Sequence, residues 1–279
     1  MENKFIDKVY DSVASKTTLL DRKMFDYLLR SIFAGIFLCL IYTFCMQLVS
    51  DFNGTSVPAL GKMLMSYLFG IGLVFIVYFG AELFTSNAMY FSVGSSHKQV
   101  TIKKSIKLLI TCWIGNFIGA GIMAAILVGT GLFNISNGVF PNPALYELAA
   151  KKASLPWDQV LCRGILANFV VNVVIYIQSV VKEDVSRLLI IPLGLVPFVY
   201  LGFEHSIANF GIFFMTWFTP EAAAQAVYHG HHFTTLGAFH NLLFATLGNL
   251  IGGGLMVGGY FAYLNRKRIK ENKTCISEE

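Results

Sequence analysis

Glu204 and His205 stand side by side in Gly202-Phe203-Glu204-His205-Ser206-Ile207-Ala208-Asn209, within one of the most apolar regions of the chain. A carboxylate and an imidazole are costly at membrane depth, and such residues mark a pathway or a site. Histidine is the side chain whose ordinary pKa, about 6.5, lies closest to physiological pH, so His205 could carry a proton there. The stretch has a partner. Gly80-Ala81-Glu82-Leu83-Phe84-Thr85-Ser86-Asn87 repeats Gly-x-Glu-x-x-x-x-Asn at an offset of 122 residues. Two polar interruptions at matching places in two apolar segments point to a transporter or channel. The competing chemistry is an intramembrane enzyme using Glu204 and His205 as metal ligands or as an acid–base pair. It would need a third ligand from another span, and Thr85 and Asn209 are poor ligands.

The elements that position these residues follow from composition. Of 279 residues, 55% are hydrophobic and 13% charged, against about 25% charged in soluble domains. The chain reads as an all-α integral membrane protein. Its net charge of +5 does not imply nucleic acid, because the basic residues track the membrane-flanking segments. Cys39, Cys45, Cys112, Cys162 and Cys275 have no metal or redox spacing and read as small buried hydrophobes.

Residues 1–26 carry Phe5, Val9, Val13, Leu19 and Met24 at helical spacing and predict an amphipathic helix, on the membrane surface or against the channel mouth. Six spans are predicted: 27–49; 63–94 with an interruption at 82–87; 108–133; 160–181; 188–218 with an interruption at 204–209; and 241–264. About 20 helical residues cross a bilayer, so six spans use up residues 27–264. The remainder, 265–279, is a polar tail. Placing both termini in the cytoplasm puts 17 of 21 basic residues inside and leaves Lys62, Lys151, Lys152 and Arg163 outside, as the positive-inside rule requires.

Further repeats define the architecture. Arg30-Ser31-Ile32-Phe33-Ala34 resembles Arg163-Gly164-Ile165-Leu166-Ala167, and the stretch from Gly115-Asn116 to Met123 resembles that from Gly248-Asn249 to Met256, both at an offset of 133. With the interrupted spans, every span of residues 27–133 has a counterpart in 160–264. Three spans per copy force the copies to face opposite ways, a 3+3 inverted repeat with two broken helices. The glycines of the second repeat suit close helix packing in lipid.

These motifs resemble the formate/nitrite transporter family over essentially the whole chain. The carriers are Glu82-Leu83-Phe84-Thr85-Ser86, Gly164-Ile165-Leu166-Ala167-Asn168, the eight residues from Gly202 to Asn209, and Gly248-Asn249-Leu250-Ile251-Gly252-Gly253-Gly254. The resemblance implies an aquaporin-like protomer, a homopentamer in the cell membrane, and one substrate pore per protomer. It implies that Thr85 faces His205, and that the pore narrows at Phe69, Leu73, Leu83, Phe84, Val171 and Phe198. It also implies a network of Lys152 with Glu204 and Asn209. By residue type alone, Phe69, Leu73, Val171 and Phe198 read as packing and Lys152 as a loop lysine.

The substrate implied is a small monovalent weak-acid anion, formate before nitrite, hydrosulfide or lactate, with no cofactor and no resident metal. A bare anion is opposed by an apolar slit. Lys152 would concentrate anions at the entrance, and an arriving anion would favour protonated His205, oriented by Thr85, which turns the anion into a neutral acid. Arg30 and Arg163 read as snorkelling or bridging side chains. A water pore is the neighbouring alternative, but Asn142-Pro143-Ala144 occurs once and reads as a loop turn. His229, His231 and His232 lack a carboxylate at ligand spacing and read as a histidine-rich loop.

Overall fold

The computed structural model describes residues 2–133 and 141–267; Cys275 and the tail beyond 267 lie outside the described residues. The chain runs α1 (Glu2–Arg22), α2 (Met24–Phe52), α3 (Pro58–Leu68), α4 (Gly70–Phe79), α5 (Phe84–Ser96), α6 (Ile102–Gly129), α7 (Pro143–Ser154), α8 (Trp157–Val180), α9 (Asp184–Tyr200), α10 (Ser206–Phe218) and α11 (Pro220–Gln225). A two-stranded hairpin, β1 (Val227–Tyr228) and β2 (His231–His232), precedes α12 (Thr235–Asn249), a π-helical stretch Leu250–Gly258, and α13 (Gly259–Leu264).

Met24–Phe52, Pro58–Phe79, Ile102–Gly129, Trp157–Val180 and Thr235–Leu264 are each long and apolar enough to cross a membrane. Their hydrophobicity goes all round: α6 turns Ile110, Ile114, Ile118 and Ile122 outward while burying Gly115, Asn116 and Gly119. Outward isoleucines with inward small and polar residues invert the soluble pattern, as lipid solvation requires. α2 lies along α6 and α8 along α12. The approach is close because the contacts are glycine. A Cβ on Gly119 would fall 1.9 Å from the Ile32 carbonyl oxygen, and one on Gly252 would fall 2.0 Å from that of Ile165.

α1 packs against α2, α5, α6 and α8. Phe5, Val9 and Val13 are buried as the spacing predicts, together with Ile6 and Leu20. Met24 departs from the pattern: it is 53% exposed, because Lys23 ends the helical run and Met24 opens α2 on a new axis. Polar ties fix α1 in place. Lys16 pairs with Glu82, Lys104 pairs with Asp21, Lys8 donates to the Ser179 carbonyl, and Tyr10 Oη meets His97 Nδ1 at 2.6 Å.

Other expectations need correction. The second apolar run begins at Pro58 rather than Met63, since proline suits the first helical turn. The interruptions fall at 80–83 and 201–205, earlier than the polar residues suggested. Gly80 (φ +71°) and Gly202 (φ +69°) end the preceding helices in the left-handed region, and the amides after them bond back to Ile76 and Phe198. Asn142-Pro143-Ala144 is not a loop turn but the start of α7, with the Asn142 side chain accepting from the Leu145 amide at 3.3 Å. Cys162 is exposed, unlike Cys39, Cys45 and Cys112. His231 and His232 form β2, a small departure from an all-α chain.

Candidate functional site

The extended residues between α4 and α5, and between α9 and α10, have backbone groups that no helix satisfies. At membrane depth each orphan would cost several kcal/mol. Two buried asparagines answer this. Asn116 Nδ2 donates to the Ser31 and Glu82 carbonyls (2.7 and 2.8 Å), and its Oδ1 accepts from the Phe84 amide at 3.0 Å. Asn249 Nδ2 donates to the Gly164 and Glu204 carbonyls (2.8 and 2.9 Å), and its Oδ1 accepts from the Ser206 amide at 2.9 Å. The Glu82 and Glu204 amides donate to the Arg30 and Arg163 carbonyls (3.1 and 3.3 Å). The two sets correspond bond for bond.

The glutamates correspond too. Glu204 is 1% exposed; its Oε2 accepts from Lys152 Nζ at 2.9 Å, Asn209 Nδ2 at 2.7 Å and Asn241 Nδ2 at 3.2 Å. Asn241 also donates to the Lys152 carbonyl at 3.1 Å. Glu82 accepts from Asn87 Nδ2 at 2.9 Å and pairs with Lys16. Both carboxylates are therefore compensated by a cation and an amide, as burial demands.

Thr85 and His205 meet where the interruptions meet. Thr85 Oγ1 and His205 Nε2 are 2.9 Å apart, and both residues are buried. His205 caps α10, its Nδ1 accepting from the Ala208 amide at 3.2 Å. That bond leaves the neutral ring's proton on Nε2, directed at the threonine oxygen. Asn168 and Asn172 on α8 donate to the Thr85 carbonyl at 3.0 and 3.1 Å, fixing the first turn of α5.

Three cavities flank this contact. One of about 490 Å³ is lined by Lys62, Lys151, Lys152, Arg163, Glu204 and Tyr200 among others. It shares Tyr42, Val199 and Gly202 with a void of about 20 Å³ that reaches Phe69, Phe198 and His205. The rings step inward: Tyr42 to Phe69 5.1 Å, Phe69 to Phe198 5.7 Å, Phe198 to His205 5.9 Å between centroids. On the other side, a cavity of about 420 Å³ is lined by Lys16, Arg30, Glu82 and Leu83.

The structure thus brings together Thr85 with His205, Lys152 with Glu204 and Asn209, and Phe69 with Phe198. Leu83 lines the Glu82 cavity. Leu73, Phe84 and Val171 are buried but line none of these three spaces. Sequence reasoning missed the roles of Lys16, Tyr42, Asn168, Asn172 and Asn241. It read Asn116 as part of a repeat and Asn249 as part of a repeat and a family motif, neither with a role; their matched position beside the packing glycines was the available signal.

A sequence profile of the formate/nitrite transporter family matches residues 3–263. The chain is 31% identical to the uncharacterized transporter YwcJ of Bacillus subtilis, over 95% of this chain and 99% of that one. It is 30% identical to the formate channel FocA of Escherichia coli, covering 82% of each chain, and 29% identical to the nitrite transporter NirC of Salmonella typhimurium, covering 73% of this chain and 72% of that one. Among solved structures, an FNT family ion channel superposes with a TM-score of 0.81 at 25% identity, covering 94% of this chain and 99% of the other. A pentameric formate channel with formate bound gives 0.70 at 23% identity, over 86% and 96%.

Proposed function

The chain belongs to the formate/nitrite transporter family, a multi-pass membrane protein, and we propose that it is a pH-dependent channel for a small monovalent weak-acid anion, with formate its substrate and nitrite next in order. The observation that carries this reading is the Thr85–His205 contact, set between two cavities that each hold a lysine–glutamate pair. In this reading the chain has six spans in a 3+3 inverted repeat, and α4–α5 and α9–α10 are the broken ones. Both termini are cytoplasmic, so the Lys152 cavity opens outside and the Lys16 cavity inside. Five copies assemble, each with its own pore; native mass spectrometry should give a pentamer, and a stable monomer or dimer would refute that assembly.

An anion enters the Lys152 cavity, drawn by positive potential. The slit beyond, at Phe69 and Phe198, is too apolar for a bare charge. The N-termini of α5 and α10 point partial positive charge at the anion from both interruptions. Its negative charge stabilises a cationic His205. The ring takes its second proton on Nδ1 from a hydronium ion that enters the cavity with the anion, giving up the Ala208 amide bond. It then passes the Nε2 proton to the anion by way of the Thr85 hydroxyl; the neutral ring, its proton now on Nδ1, gives that proton up to water and takes one back on Nε2, restoring the Ala208 amide bond. The neutral acid crosses the apolar residues and ionises again on the far side. One proton and one anion move together, and no charge crosses the slit unaccompanied.

The test is flux of formate, nitrite, hydrosulfide and chloride into proteoliposomes at several pH values, for the wild type and His205→Asn. The wild type should pass weak-acid anions faster as pH falls and exclude chloride, and the variant should lose that pH response. An unchanged pH response in His205→Asn would sink the relay while leaving the family assignment intact.

A further inference from the structure

The cavity of about 490 Å³ carries more positive charge than the lysine–glutamate pair explains. Six charged residues line it: Lys62, Lys151, Lys152, Arg163, Glu147 and Glu204. Lys152 and Glu204 cancel each other at 2.9 Å. Three cations and one carboxylate, Glu147, remain, a net of two positive charges. Among the described residues, none of Lys62, Lys151 and Arg163 forms a salt bridge.

Instead, Lys62 Nζ lies 4.3 Å from the Tyr200 ring centroid and Lys151 Nζ 5.4 Å from that of Tyr228, and both rings line the same cavity. Such contacts hold an ammonium in place without neutralising it. Burial lowers the pKa of the Lys151 amine, and the charge of Arg163 lowers it further; Glu204 raises it, and Lys62 adds a smaller lowering. Lys151 therefore feels both Arg163 and Lys62 across the cavity, and crowding of like charges is relieved by an anion placed among them. The cavity's volume also lies within the range of about 300–1,000 Å³ typical of small-molecule sites.

We propose that this cavity is a binding site for small dianions, dicarboxylates of malonate size, and that a dianion held there plugs the route to His205. The valence follows from the charge count: a monoanion leaves one positive charge unmatched and a dianion leaves none. The block rests on the channel reading above. Ionic desolvation cost rises with the square of the charge, so the void of about 20 Å³ beyond opposes a dianion more strongly than formate. One proton from His205 would still leave a dicarboxylate charged, so the relay that frees formate cannot free it.

Titration calorimetry of malonate into the detergent-solubilised full-length protein tests the site, with sodium chloride at matched ionic strength as the blank. The wild type should bind one malonate per chain saturably. Lys62→Gln/Lys151→Gln, and each single substitution in turn, should weaken binding, the double variant at least tenfold. No saturable binding to the wild type, or equal binding by a double variant that keeps its wild-type elution volume and helical circular dichroism, overturns the proposal. Formate flux into proteoliposomes, with malonate on both sides, reads the block. Malonate should inhibit the wild type, and the double variant should need at least tenfold more. Flux that persists at saturating malonate overturns the block. Absence of formate flux from both proteins without malonate would refute the channel reading instead, and leave the calorimetric result to stand on its own.

Discussion

Lys152 and Glu204 show how a charge is kept where lipid surrounds the protein. Each is under 5% exposed, and Asn209 and Asn241 complete the carboxylate's coordination. Removing one partner of a buried pair strands the other, at a cost of about 3–5 kcal/mol. Lys152→Met alone and Glu204→Gln alone should each lower the thermal midpoint of the detergent-solubilised protein sharply. The double variant should lose less than the two singles added together, because no unpaired charge remains. Additive losses would mean that the two side chains do not depend on each other. At this scale the sequence was informative where polarity clashed with its surroundings: Glu204, His205 and Asn209 stood out from an apolar background. Lys16 and Asn241 did not, because their partners lie 66 and 37 residues away and no local pattern connects them.

Two helix pairs come together over glycine because nothing larger fits. Adding a side chain to Gly252 would push α8 from the π-helical stretch, which also carries the far wall of α5. Gly252→Val should therefore yield little monodisperse protein on size exclusion. Gly129→Ala, at the end of α6, would place its methyl where no atom lies within 4 Å. That change should raise stability by about 0.4–1 kcal/mol, because the unfolded chain loses freedom and the folded one gains no clash. If both behave alike, close packing is not what these glycines supply. Helices were legible wherever apolar residues ran long enough. The interruptions were misplaced by two to four residues because polarity marked them, whereas the left-handed glycines at 80 and 202 end the helices. α7 was invisible: Pro143 and two lysines read as loop, and only the Asn142 cap reveals a helix start.

Across the whole molecule, the site belongs to neither half alone. Thr85 comes from one interruption and His205 from the other, and the Thr85 carbonyl is held by α8, more than 80 residues away. The similar stretches at offsets of 122 and 133 were legible in the sequence, but periodicity cannot show that the two interruptions touch. That depends on how the halves interlock, which sequence spacing does not encode.

The packing of α5 has a consequence for how the protein is made. At 13 residues, α5 is too short to span a bilayer alone, and its principal neighbour is the π-helical stretch Leu250–Gly258. Synthesis delivers that neighbour only after α6 to α12 have been made. Until then α5 lacks its largest packing partner and has only α1, α6 and α8 to lie against. A chain ending before Thr235 should leave α5 open to limited proteolysis in the membrane, and protection of α5 in that truncation would contradict this order of events. The wall opposite α5 is therefore complete only once Leu250–Gly258 has been made, so the first half of the chain waits on the last for its packing.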